Sequence, residues 1–195
     1  MARDRASRPE AKPLRLFVAA DIPEEIRKTL ATATEPLMDQ LPRARWVPPQ
    51  NWHVTIKFLG STWPRLLGWV RGSISAVAAE QRPFASALTG LGVFPSPRRA
   101  RVLWAGLDDP DQRFRGIARD LDSVLEREFR KEKREFTPHL TVARFDPPIH
   151  VPEDALATTI QRATFAVDRL TLYRSFLQRP APRYERVEEF PFVAL

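Results

Sequence analysis

The stretches His53-Val54-Thr55-Ile56 and His139-Leu140-Thr141-Val142 decide how this 195-residue chain folds, because both run histidine, apolar residue, threonine, apolar residue. The sequence has three histidines, and two of them carry this signature. Side chains at positions i and i+2 of a strand point to the same face of a sheet. Each stretch therefore predicts a strand that presents one imidazole and one hydroxyl side by side.

Two such pairs facing each other predict a site for one small anionic group. Histidine has an ordinary pKa of about 6.5, so an imidazole that accepts a proton and an imidazolium that donates one are both accessible near neutral pH. The threonine hydroxyls add hydrogen-bond donors. Phosphoryl transfer without a metal needs this set, so His53, His139, Thr55 and Thr141 are the predicted catalytic residues. A single His-x-Thr is more often structural, and the repetition is what favours function.

An internal repeat around the motifs predicts the fold. Residues 53–60 and 139–146 align as HVTIKFLG and HLTVARFD, which indicates two similar halves with a site where they meet. Strand and helix patterns interleave, with several direct strand-to-strand connections, and this favours α+β over a doubly wound sheet. Helices are predicted near 24–40, 66–80, 111–133 and 152–162, and strands near 14–20, 45–47, 52–59, 84–91, 101–107, 139–145, 164–177 and 183–193.

Composition narrows the class of protein. The chain has no cysteine and no apolar run of about 18 residues, so neither disulfides nor a membrane span are predicted. Residues 1–13 are rich in Arg, Pro and Ala and predict a mobile basic tail rather than a secretory signal, while the length of residues 14–195 predicts one domain or two tightly joined lobes. The net charge of +7 favours polyanionic partners such as nucleic acid. We expect a cytoplasmic protein.

Beyond the paired motifs, the flanking segments carry a resemblance to a known family. The sequence resembles the two-histidine phosphoesterase superfamily, and within it the bacterial and archaeal RNA 2′,3′-cyclic phosphodiesterases, also described as 2′–5′ RNA ligases. The matching segments are Leu16–Ala19, Asp21–Pro23, Arg45–Pro48, Phe58–Gly60, Gly92–Pro95, Arg101–Trp104, Phe136–Pro138 and Ala143–Arg144. The resemblance implies a bilobal, pseudo-symmetric α+β fold in which two antiparallel sheets face a central cleft, with helices on the outside.

The resemblance also implies a reaction. The expected substrate is an RNA with a 2′,3′-cyclic phosphate end or a small cyclic nucleotide, and the expected product is a 2′-phosphomonoester. His53 is assigned as proton donor and His139 as proton acceptor by resemblance, because the residues themselves leave the order open. We expect no cofactor, no metal, no membrane association and a monomeric protein.

Three further side chains are candidates for substrate contacts. Lys57 follows His53 by four residues, so a regular strand places it on the catalytic face. Arg144 follows His139 by five residues and points away unless the strand contains a bulge or ends there. Its place in the family motif keeps it a candidate. Trp46 is a candidate for base stacking, although a position in the core is the favoured interpretation.

Two other functions share these residues. Ligation of RNA ends into a 2′–5′ linkage is the reverse reaction and uses the same four groups, although the high concentration of water favours hydrolysis. A non-catalytic RNA- or nucleotide-binding module on the same scaffold predicts that at least one motif has been lost, and both motifs are intact here.

Overall fold

A computed structural model describes residues 12–179 and 181–193, so the predicted tail lies almost entirely outside the described residues. The elements in chain order are β1 Leu14–Ala20, α1 Glu24–Thr34, α2 Leu37–Gln40, β2 Arg45–Trp46, β3 Val54–Thr62, α3 Leu67–Ala79, β4 Phe84–Phe94, β5 Ala100–Leu107, α4 Arg113–Leu125, β6 His139–Ile149, α5 Glu153–Leu156, β7 Thr164–Val167, β8 Arg169–Phe176 and β9 Arg183–Pro191. Among these residues, no helix is long and apolar enough to cross a membrane.

The nine strands of the described residues form one antiparallel sheet, and a single backbone pair at its middle divides it into two halves, which we call the first sheet and the second sheet. The first sheet has the order β3-β1-β8-β9 and the second has the order β7-β4-β5-β6, with β2 paired to β6. One backbone pair joins the sheets, Val54 of β3 opposite Leu140 of β6. Because these two residues hold equivalent positions in the two motifs, the joint lies where the two halves of the repeat meet.

Helices cover the outer faces of the sheets. α3 and α4 contact each other and pack on the first sheet, α3 against β8 and β9 and α4 against β3, while α5 contacts β4. The apolar side chains of α4 recur at three- and four-residue spacing and form one buried face. They are Phe114, Ile117, Ala118, Leu121 and Leu125. The predicted α+β architecture, with antiparallel sheets and outer helices, is confirmed.

Two helices are shorter than the sequence predicts, and local backbone features account for the difference. The helix predicted to reach residue 40 ends at Thr34, since Pro36 has no N–H to donate to the preceding turn. The helix predicted over 111–133 begins only at Arg113, because Asp111 and Gln112 have φ values of 53° and 54°. It ends at Leu125, after which the chain leaves the helix.

Two further predictions were wrong near the C-terminus. The helix predicted over 152–162 is limited to Glu153–Leu156. The strand predicted over 164–177 is two strands separated by Asp168: β7 pairs with β4 of the second sheet, and β8 pairs with β1 of the first. The chain therefore crosses between the sheets at this point.

Candidate active site

The joint between the sheets brings the two motifs together. Val54 pairs with Leu140, and the register of an antiparallel ladder then sets His53 opposite Thr141 and Thr55 opposite His139. The two joint residues are fully buried, whereas all four motif side chains are partly exposed. Directly opposite residues have Cβ atoms about 5 Å apart. Two imidazoles and two hydroxyls therefore line one small space on the cleft side of the sheets.

Each histidine is oriented by the carbonyl group two residues before it. His53 Nδ1 lies 2.8 Å from the carbonyl oxygen of Asn51, and His139 Nδ1 lies 2.7 Å from that of Thr137. A carbonyl oxygen only accepts hydrogen bonds, so Nδ1 carries a proton in both rings. Nε2 of each ring is left without this proton and is the nitrogen that can accept one.

Aromatic rings surround His53. Its imidazole stacks on Phe17 with ring centroids 4.7 Å apart, and Tyr184 approaches edge-on at 5.2 Å. Burial lowers the pKa of His53 to about 4, against the opposing effects of the Asn51 carbonyl and the Asp21 carboxylate. The ring is therefore neutral in the unliganded protein at neutral pH.

His139 lies in a second, smaller aromatic setting. Phe94 meets the ring edge-on at 5.3 Å, and the centroid of Trp104 lies 6.2 Å away. A side chain at Gly92 would collide with the Trp104 indole, so the glycine makes room for this ring. Burial lowers the pKa of His139 as well, and the Thr137 carbonyl opposes that effect.

Arg144 reaches the catalytic face because β6 contains a bulge. In the pairing of β5 with β6, Trp104 lies opposite Thr141 but the preceding residue, Leu103, lies opposite Ala143, so β6 has one extra residue. The residues on both sides of Arg144 are buried while Arg144 is exposed. Its charge lowers the pKa of both motif histidines, which places it beside them. The bulge that the sequence-based prediction required is present.

Lys57 lies on the opposite face, and the prediction that it faces the cleft was wrong. β3 has its own bulge, with Ile56 as the extra residue between Thr55 and Lys57 in the pairing with β1. Lys57 is only 6% exposed, and its ammonium group forms an ion pair with Asp122 of α4. It also donates to the carbonyl oxygen of Arg130 at 2.7 Å. Lys57 therefore holds α4 and the segment after it against the sheet.

Phe58 takes the place on the catalytic face that Lys57 was predicted to hold. It pairs with Phe17, whose ring centroid is 6.0 Å away, and it is 63% exposed. Phe58 and Arg144 are both the fifth residue after their histidines. Sequence reasoning missed Phe58, although the alignment of HVTIKFLG with HLTVARFD already places it opposite Arg144.

Trp46 is partly buried and packs against the core, which agrees with the favoured interpretation and does not support a role in base stacking. It pairs with the fully buried Ala143 and packs against the apolar cluster. Its neighbour Arg45 pairs with Arg144 and is exposed. Two like charges directly opposite each other are unfavourable unless an anion lies between them. Within the described ranges, no three His, Asp or Glu side chains converge as a metal site.

Comparison with known proteins assigns the family. A family model described as LigT-like phosphoesterase matches residues 20–104 and 107–184, which include both motifs. The chain belongs to the LigT-like phosphoesterase family. The resemblance seen in the sequence is thereby confirmed, and so is the prediction of an enzyme.

Curated relatives and solved structures agree with this family assignment. An RNA 2′,3′-cyclic phosphodiesterase of Methanothermobacter thermautotrophicus is 30% identical over 183 residues, which are 91% of this chain and 98% of that relative. One of Geobacillus stearothermophilus is 29% identical, and the match spans 57% of its length. A crystal structure from Thermus thermophilus superposes with a TM-score of 0.80 at 28% identity, over 92% of this phosphoesterase and 98% of that chain. The crystal structure of E. coli LigT in complex with 3′-AMP superposes with a TM-score of 0.73 at 27% sequence identity. The match covers 92% of this phosphoesterase and 98% of that chain.

Proposed function

We propose that this phosphoesterase hydrolyses RNA 2′,3′-cyclic phosphate ends to 2′-phosphomonoesters without a metal ion. The observation that carries the proposal is the quartet of two imidazoles and two hydroxyls on one face of the joint between the sheets. The relatives named RNA 2′,3′-cyclic phosphodiesterase support the substrate class. The site of bond cleavage, at the 3′ oxygen, follows the family resemblance.

In the proposed reaction, Nε2 of His139 accepts a proton from water as the water oxygen attacks phosphorus. Nε2 of His53 gives a proton to the departing 3′ oxygen. Thr55 and Thr141 donate hydrogen bonds to the non-bridging oxygens, whose negative charge grows toward the transition state. Arg144 adds a cation beside the same oxygens.

The proposed mechanism requires that His53 is protonated and His139 is neutral when the substrate is bound. Burial lowers the pKa of both histidines, so the free protein holds two neutral rings at pH 7. An anionic phosphate stabilises an imidazolium and raises its pKa on binding. The assignment of His53 as the ring that carries the extra proton follows the family resemblance, because burial outweighs the effect of Asp21 and lowers the pKa of His53 to about 4 in the free protein.

The test is to incubate EDTA-treated protein with RNA that ends in a 2′,3′-cyclic phosphate and to identify the terminal phosphate, with and without RNA bearing a 5′-hydroxyl. We expect a 2′-phosphate, lost in His53→Ala and in His139→Ala. We also expect a bell-shaped profile of kcat/KM with its maximum below pH 6.5, because kcat/KM reports the pKa values of the free enzyme. Turnover that survives either substitution would contradict the mechanism, and net ligation would favour the reverse reaction.

A further inference from the structure

A shallow cavity of about 370 Å³ opens at the far end of β3, beyond the catalytic face. We call it the flanking groove and define it by Phe58, Trp63, Arg65, Glu128, Phe129 and Arg130. The side chains of Phe58 and Trp63 are 63% and 39% exposed. Contiguous exposed apolar surface is a feature of interaction sites, so a cavity lined by two exposed aromatic rings is a candidate binding site.

The groove combines aromatic surface with positive charge. The guanidinium of Arg65 lies 5.8 Å from the ring centroid of Trp63. Among the described residues, neither Arg65 nor Arg130 forms a side-chain ion pair, and the one carboxylate, Glu128, already faces Arg127 at 3.5 Å. Aromatic faces that stack bases, next to cations that meet phosphates, are the features that bind single-stranded nucleic acid.

The wall of the groove is anchored rather than loose. Arg130 follows α4, and its carbonyl oxygen accepts a hydrogen bond of 2.7 Å from Lys57, which is itself paired with Asp122. The floor is formed by Phe129, which is 8% exposed and stacks parallel to Trp69 at 6.2 Å. The buried lysine that follows the first motif therefore fixes a wall of the groove in place.

Phe58 makes the groove continuous with the catalytic quartet. Its ring lies 6.0 Å from that of Phe17, which stacks on His53 at 4.7 Å. Two aromatic contacts thus lead from the groove to the imidazole proposed to protonate the leaving group. Phe17 is only 2% exposed, so the ring that is open to a nucleotide between the quartet and the groove is that of Phe58, which is 63% exposed.

We propose that the flanking groove binds the single-stranded RNA that precedes the cyclic phosphate, so that this phosphoesterase favours polynucleotide ends over cyclic mononucleotides. The inference rests on the proposed function for the position of the reacting phosphate. Trp63 stacks a base, and Arg65 and Arg130 meet the phosphates beside it. A cyclic mononucleotide occupies the quartet alone and does not reach these three side chains.

The test compares a 2′,3′-cyclic mononucleotide with a short RNA of the same 3′ nucleotide, using the double variant Trp63→Ala with Arg65→Ala. We expect kcat/KM for the RNA to fall on the order of tenfold or more, since base stacking alone contributes that much per base. We expect kcat/KM for the mononucleotide to change less than about twofold, and Arg119→Ala, on the exposed face of α4, to change neither value. Equal losses on both substrates, or no loss on the RNA, would overturn the proposal.

A second readout does not depend on turnover. Binding of fluorescently labelled single-stranded RNA, followed by anisotropy over a range of salt concentrations, should weaken about tenfold in the double variant, with a shallower salt dependence from the lost arginine. If the wild-type protein hydrolyses neither substrate but still binds RNA through Trp63 and Arg65, the proposed function fails and the groove stands. If RNA binding is unchanged in the variant, the groove proposal fails whatever the activity.

Discussion

The two motif strands are alike for four residues and then diverge. In β3 the residues four and five places after the histidine are Lys57 and Phe58, and in β6 they are Ala143 and Arg144. Both strands contain a bulge after the threonine, so in both halves the fifth residue, not the fourth, faces the cleft. The two halves thus share a β-bulge at the same position, but the side chain that the bulge turns toward the cleft is aromatic in one half and cationic in the other.

We infer from this difference that the paired motifs carry the proposed reaction and that the unlike residues beside them orient the substrate. Aromatic rings lie beside both histidines, but the fifth residue after the histidine differs: the half around His53 offers the exposed ring of Phe58, whereas the half around His139 offers the charge of Arg144. Rings bind a base and a guanidinium binds a phosphate. We therefore expect the nucleoside to lie toward the first sheet and the phosphate oxygens toward Arg144.

The largest expected effect is the loss of either histidine, which should lower kcat/KM for cyclic-phosphate RNA by about 10²- to 10⁴-fold. A p-nitrophenyl phosphodiester separates the two roles, because its leaving group needs no proton. With that substrate the deficit of His53→Ala should shrink while the deficit of His139→Ala persists. The opposite pattern would exchange the two roles.

Substitutions of the two threonines test whether the two motifs contribute equally to the reaction. Thr55→Val and Thr141→Val should each lower kcat by about 10²-fold, since each removes one hydrogen-bond donor from the transition state and keeps the shape of the side chain. Thr55→Ser and Thr141→Ser retain the hydroxyl and should recover most of the rate. Steady-state kinetics of the four variants would show whether the two halves contribute equally, and full activity in either valine variant would contradict the assignment.

Inhibition constants sharpen the contrast between Phe58 and Arg144. Arg144→Ala should weaken inhibition by both inorganic phosphate and a nucleoside monophosphate, by roughly tenfold to a hundredfold for the loss of a charged hydrogen bond. Phe58→Ala should weaken the nucleotide alone, by about tenfold. Arg144→Lys keeps the charge and should fall between wild type and alanine. A Phe58→Ala effect on inorganic phosphate would show that the halves do not divide the substrate in this way.

The smallest expected effect is on the pH dependence of the free energy of unfolding, in which the two histidines should differ. The pKa of His53 is about 4 in the folded protein and about 6.5 in the unfolded chain, so between these values the unfolded chain binds more protons. The free energy of unfolding should therefore fall as the pH drops through this range, by up to about 1.4 kcal/mol per pH unit. Urea unfolding at several pH values should show a shallower slope for His53→Gln and a smaller change for His139→Gln. Identical slopes in wild type and His53→Gln would contradict the burial of this ring.

Local pattern was enough for much of the fold and for the core of the site. Period-two alternation placed the motif strands, and the repeat placed the two halves, because both are short-range features of the chain. Helix ends were less predictable where a single residue decided them, as at Pro36 and at Asp111 with its positive φ. The residues that flank the quartet were predicted poorly for a different reason.

The sequence by itself determined the quartet of His53, Thr55, His139 and Thr141, since the i, i+2 rule and the repeat need no knowledge of neighbouring strands. Only the tertiary structure decided that Lys57 is buried against Asp122 and that Arg144 and Phe58 face the cleft. A bulge is set by pairing with the adjacent strand, and one extra residue moves every later side chain to the other face. That pairing joins residues far apart in the chain, so no local pattern records it.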